Sequence, residues 1–139
     1  MSTRTTSGTS SAVADFDAIT QVLATLLEGE SGGDVAKLKA VFHPDARMFG
    51  QIEGQRCDMP ISAYFDLAAS APANSEGNYQ ARVLSVQQTG DAAMAVVVEE
   101  NCWGSASFID YLALARVAGA WKIVNKTFAH TGGRVPMPG

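Results

Sequence analysis

The hydrophobic period changes once along this chain, and that change constrains the fold more than any other feature. Through the first seventy or so residues, apolar side chains recur every three or four positions; from Tyr79 onward they alternate. A period near 3.6 marks a helix with one buried stripe, and a period of two marks a strand with one buried face. Helices first and strands afterwards predict an α+β domain rather than alternating βαβ units.

The first helix is expected over residues 12–29. Val13, Phe16, Ile19, Leu23, Leu26 and Leu27 form its stripe, Ser11 is its N-cap, and Asp15 and Asp17 suit its positive end. The run GESGG (29–33) is expected to stop it. Asp34 caps a second, shorter helix carrying Val35, Leu38, Val41 and Phe42. That helix ends at His43-Pro44, because a residue before proline is pushed out of the α region. Residues 46–59 read as two short strands around Glu53-Gly54. Asp58 and Pro60 then signal a third helix, with Ile61, Tyr64, Phe65, Ala68 and Ala71 on its buried side.

After a loop at 71–78 the strands begin. The alternation slips at Val83-Leu84, which predicts a bulge. Strands over about 92–103, 105–117 and 120–130 are separated by Gly104 and by Ala118-Gly119, and separators this short mean antiparallel hairpins. The expected organisation is one domain over 12–130, with a polar tail at 1–11 and an irregular tail at 131–139.

A chain of 139 residues suits one domain with a sizeable core. The net charge of −4 and the lack of a basic run exclude nucleic acid as a main partner. No apolar stretch is long enough to span a bilayer, and MSTRTTSGTSS lacks the apolar core of a secretory signal. A cytoplasmic protein is therefore expected, with Cys57 and Cys102 as free thiols. The two cysteines and the two histidines, His43 and His130, have no metal-ligand spacing, so no metal site is expected. Phosphate-loop, Gly-x-Ser-x-Gly and HExxH motifs are absent, and no cofactor is expected.

One residue breaks the strand pattern. In SFIDYLAL (107–114), Asp110 interrupts an apolar run, and burying an unpaired carboxylate is costly. Two-residue turns at Ala118-Gly119 and Gly104-Ser105 would place Leu114 opposite Ile123, Asp110 opposite Thr127, Glu99 opposite Asp110 and Asn101 opposite Phe108. Directly opposed side chains share a face. One face then carries an apolar floor (Ala95, Val97, Leu112, Leu114, Ile123) leading to a polar, aromatic-rimmed patch. That patch comprises Glu99, Asn101, Trp103, Phe108, Asp110, Asn125 and Thr127. The other face, with Val96, Val98, Ile109, Tyr111, Lys126 and Phe128, is also largely apolar. A sheet apolar on both faces needs two covers; helices supply one, and a second subunit is expected to supply the other as a homodimer.

The ordered combination of FHPDARM (42–48), GDAAMAVV (90–97) and FIDYLALARVAGAWKIVNKTF (108–128) resembles the nuclear transport factor 2-like superfamily, within it the small bacterial lumazine-binding group. The resemblance covers roughly residues 13–130. It implies three helices on a strongly curved, mainly antiparallel sheet, a cone-shaped cavity and frequent dimerisation through the sheet. Relatives include ketosteroid isomerase, scytalone dehydratase, limonene epoxide hydrolase, polyketide cyclases and non-enzymatic binding proteins, so the fold implies a pocket but not its chemistry.

Asp110, Glu99 and His43 are the candidate acid–base residues. Two carboxylates at hydrogen-bonding range raise one pKa toward neutrality, and His43 sits near the cavity mouth that the resemblance implies. Tyr64, Phe65, Asn101, Trp103, Phe108, Asn125 and Thr127 are the candidate contacts for a small apolar or aromatic ligand. The expected function is small-molecule binding. The alternatives are an isomerase, dehydratase or cyclase working by proton transfer, and an interaction module with a filled cavity.

Overall fold

The computed structural model describes residues 11–136. Expectations for residues 1–10 and 137–139 fall outside the described residues. Three helices pack on a six-stranded, curved and open sheet. Helix α1 (Ala12–Gly32) starts where Ser11 Oγ accepts from Ala14 N at 2.9 Å. It ends three residues later than expected. Gly33, in the left-handed region at φ 66°, closes it by donating its N–H to the Gly29 carbonyl. Gly29 is thus tolerated inside the last turn, and the extra residues carry Glu30 into the interior.

Asp34 caps α2 (Val35–Val41), accepting from Lys37 N at 3.3 Å. The chain turns directly into strand β1 (Phe42–Ile52), folds back through β2 (Gln55–Pro60), and enters α3 (Ile61–Ser70) behind Pro60. Strands β3 (Gln80–Thr89), β4 (Ala92–Cys102), β5 (Ala106–Val117) and β6 (Ala120–Gly132) form a meander. The sheet order is β2-β1-β6-β5-β4-β3, and β1 lies parallel to β6 while all other neighbours are antiparallel. The first and last strands therefore meet in the middle of the sheet. Gly50 permits this closeness, because a Cβ there would lie 2.6 Å from the Phe128 carbonyl oxygen.

Two register findings decide which residues share a face. The β5–β6 hairpin turns at Ala118-Gly119, both at positive φ, and Leu114 opposes Ile123 as expected. Val124 is then an extra residue on β6: Ala113 opposes Asn125, Leu112 opposes Lys126 and Asp110 opposes Phe128. Beyond this bulge the faces of β6 exchange. Lys126 and Phe128 point inward and are buried, and Thr127 is exposed. At the β4–β5 hairpin the turn comprises Trp103, Gly104 and Ser105, with a bulge at Asn101 (φ 60°). Glu99 opposes Phe108 and Asp110 opposes Val97. That is two residues from the expected pairing, and an even shift preserves the face. The bulge expected near Val83-Leu84 lies between Val83 and Ser85.

The larger core joins Ile19, Leu23 and Leu26 of α1 to Ala95, Val97, Leu112 and Ile123 of the sheet. A second cluster, with Met48, Cys102, Phe108 and Phe128, lies toward the other end of the sheet. Arg116 ties the start of α1 to the meander, meeting Asp15 at 2.6 Å and Asp91 at 2.8 Å and lying over the Trp121 ring. No helix among the described residues is long and apolar enough to cross a membrane. Cys57 and Cys102 are free thiols.

Candidate functional site

An open cavity of about 440 Å³ lies beside the second core cluster. Its walls are apolar and aromatic: Met48, Met59, Leu67, Trp103, Phe108 and Phe128. Trp103, Phe108 and Phe128 meet edge to face, with centroids 6.0 and 5.7 Å apart. The Trp103 indole donates to the Ala71 carbonyl at 2.8 Å, which fixes this wall to the end of α3. Val135 and Pro136 close part of the rim. The chain reaches that rim by turning at Gly133 (φ 71°), where a Cβ would lie 1.9 Å from the Ser105 carbonyl oxygen. Among the described residues this cavity is open, whereas an interaction module with a filled cavity would show no void.

The floor is charged. Glu30 from α1, Glu99 from β4, Asp110 from β5 and Lys126 from β6 all line the cavity and are all buried. The three acids each bring a carboxylate oxygen within 4.8 Å of the others. Lys126 Nζ supplies a cation among them, 2.7 Å from Glu30 Oε2 and 3.9 Å from Asp110 Oδ2. Its ammonium also lies 4.5 Å from the Tyr64 ring centroid. The Tyr64 hydroxyl donates to Glu30 Oε2, and the Tyr79 hydroxyl donates to Glu99 Oε1 at 2.7 Å. Both Asp110 oxygens and Glu30 Oε1 are buried without a donor in hydrogen-bond range.

Burial, the Asp110 charge and a bond with Asp110 push Glu99 up to about 8, against the opposing pull of Lys126 and Tyr79. Burial and the Glu99 charge push Glu30 up to about 7. Asp110 is also raised, by burial first, while Lys126 and a bond from Glu99 hold it back. Glu99 and Asp110 bond to each other only when one of them carries a proton, so the pair shares one near neutral pH. Burial disfavours the Lys126 charge, yet Asp110, Glu30, Tyr64 and Glu99 together raise it well above an ordinary lysine. Lys126 is thus a fixed cation. Tyr64 and Tyr79 are raised by burial first, then by the neighbouring carboxylates, and stay neutral donors.

Of the residues expected at a site, Glu99, Asp110, Tyr64, Trp103 and Phe108 line the cavity. The others are placed elsewhere. His43 lies outside it, with Nδ1 accepting from Asp45 N at 3.0 Å, so Pro44 folds the ring onto a local turn. Phe65 packs against Phe42 in the main core, with ring centroids 5.9 Å apart. Asn101 sits in the bulge and donates to the Asn78 carbonyl at 3.1 Å; Cys102 lines the wall instead. Asn125 and Thr127 follow the Val124 bulge to the outer side, where the Thr127 hydroxyl donates to Asn125 Oδ1 at 2.8 Å. Lys126, expected on the outer face, takes their place at the floor. Sequence reasoning missed Glu30 as well, although Leu23, Leu26 and Glu30 continue one helical stripe.

Residues 14–129 match the family described as "Putative lumazine-binding". The chain belongs to this family. Its fold is that of the NTF2-like proteins. An NTF2-like protein of unknown function from Methylobacillus flagellatus KT is 33% identical, with a TM-score of 0.79 over 88% of this chain and 96% of that one. Another, from Silicibacter pomeroyi DSS-3, is 25% identical, with a TM-score of 0.80 over 88% of this chain and all of that one. Aldolase FrzH from a Cladobotryum species is 26% identical over 114 residues, covering 82% of this chain and 90% of its own length.

Proposed function

We propose that this member of the lumazine-binding family is a small-molecule enzyme that removes a proton from a carbon beside a carbonyl group. The observation that carries this reading is the buried Glu99–Asp110 carboxyl pair at the floor of an apolar cavity. A base is most effective when its pKa lies near the working pH, and burial brings this pair into that range. Lys126 and Tyr64 bring positive charge and a hydroxyl to the same floor, where negative charge would develop on the carbonyl oxygen. Similarity to an aldolase supports carbonyl chemistry, because an aldol reaction proceeds through loss of such a proton. The same enol intermediate serves isomerisation and dehydration.

The test is uptake of solvent deuterium beside the carbonyl in a panel of cyclic ketones, β-tetralone among them, followed by mass spectrometry. The wild-type chain accelerates uptake in at least one ketone, and Glu99→Gln and Asp110→Asn each lower the rate by about a hundredfold or more. A wild-type rate equal to buffer across the panel, or variants as fast as wild type, defeats the proposal.

A homodimer through the outer face of the sheet is part of this reading. Phe49, Met94 and Tyr111 are large apolar side chains between 43% and 51% exposed on the sheet strands, an arrangement that suits a second copy. Light scattering gives twice the chain mass if this holds, and a return to the chain mass in Met94→Glu/Tyr111→Glu; a wild-type monomer at micromolar concentration rules it out.

A further inference from the structure

We propose that the ligand of this cavity carries a basic, protonated nitrogen, which seats against Asp110 and Glu30 beneath the aromatic wall. The inference rests on the reading of the cavity as a ligand site and names the ligand's class. Its first support is a count of donors against acceptors. Tyr64 OH donates to Glu30 Oε2 and Tyr79 OH to Glu99 Oε1, while Lys126 Nζ reaches Glu30 Oε2 at 2.7 Å and stops 3.9 Å short of Asp110 Oδ2. Both oxygens of Asp110, which is 1% exposed, and Oε1 of Glu30 are left facing no donor. Even when the Glu99–Asp110 pair holds a proton, that bond engages one Asp110 oxygen and leaves the other open. Buried acceptors without donors are costly, so a ligand that brings N–H groups gains most here.

Charge points the same way. Three acids share the floor with one lysine, which lies 2.7 Å from Glu30 Oε2 and 3.9 Å from Asp110 Oδ2, so carboxyl groups outnumber the fixed positive charge. A carboxylate or phosphate ligand would be repelled by these acids. An added ammonium offsets that surplus of acids. The rings of Trp103, Phe108 and Phe128 line the same cavity and suit an apolar, ring-sized body. A cation beside the carboxyl pair also favours its ionised form. Binding therefore expels the shared proton to solvent and leaves a carboxylate able to act as the base.

Titration calorimetry on the full chain near neutral pH, in two buffers of different ionisation enthalpy, tests this with three probes of one skeleton: β-aminotetralin, β-tetralol and tetralin-β-carboxylate. The amine is expected to bind about tenfold or more tighter than the alcohol, and the carboxylate weaker than both. The amine's heat should differ between buffers by the amount that proton release requires. Asp110→Asn removes the amine's advantage while the alcohol binds as before, which also shows that the variant is folded. Glu99→Gln keeps the advantage and loses the proton release. If the alcohol or carboxylate binds as tightly as the amine, the amine inference falls and the cavity remains a ligand site. If none of the three binds, both readings fall.

Discussion

Lys126 Nζ lies 2.7 Å from Glu30 Oε2, a contact between the last strand and the last turn of the first helix across 96 positions of sequence. Both side chains are buried, so neither can turn to water if the other is lost.

Lys126→Met is expected to cost about 3–5 kcal/mol, because it strands Glu30 without its cation. The double variant Lys126→Met/Glu30→Met should recover much of that loss, since it removes both buried charges. Urea denaturation of the single and double variants checks the order.

Stability should fall as pH rises from about 5 to about 8. Glu30 and Glu99 have folded-state values near 7 and 8 against an ordinary carboxyl value of 4.5. Between those limits the folded state holds protons that the unfolded state has released, so the slope of stability against pH is negative. The contribution is fully present below the unfolded value and lost as pH passes through the folded values. Glu99→Gln should flatten the upper part of the curve, which urea midpoints measured across this range would show.

Lys126 should form no imine with a carbonyl ligand. Only the neutral amine is a nucleophile, and the surrounding acids hold this lysine protonated. Borohydride added during deuterium exchange into a ketone should leave the protein mass unchanged. A reduced adduct on Lys126 would replace the enol route by a covalent one.

Gly133→Ala should loosen the cavity rim. The added carbon meets the Ser105 carbonyl at 1.9 Å, and the left-handed backbone there also disfavours a side chain. The segment carrying Val135 and Pro136 must then move. Ligand affinity should drop several-fold while the sheet keeps its melting temperature. Calorimetry with β-aminotetralin and a thermal melt separate the two effects.

The division into helices and meander was legible because period alone reports it. Glu99 and Asp110 were legible as face-mates despite a mistaken pairing, since the error was two residues and parity survived. Lys126 was not legible: the extra residue on β6 is Val124, a good strand former, and neither glycine nor proline marks the spot. His43 was misplaced because its proline-bounded turn bonds to itself and needs no cavity. Glu30 hid among glycines that looked like a helix stop, yet its spacing from Leu23 and Leu26 already placed it on the buried stripe.

The Val124 bulge makes the cavity's counter-charge a property of the backbone count. If Val124 paired in register instead of bulging, every side chain of the floor would still be in the sequence, but Asn125 would oppose Leu112, Lys126 and Phe128 would turn to the outside, and Asn125 and Thr127 would come in. Three buried acids would then face one another with no cation, so the chemistry open to this floor depends on whether the last strand bulges or pairs straight through at Val124.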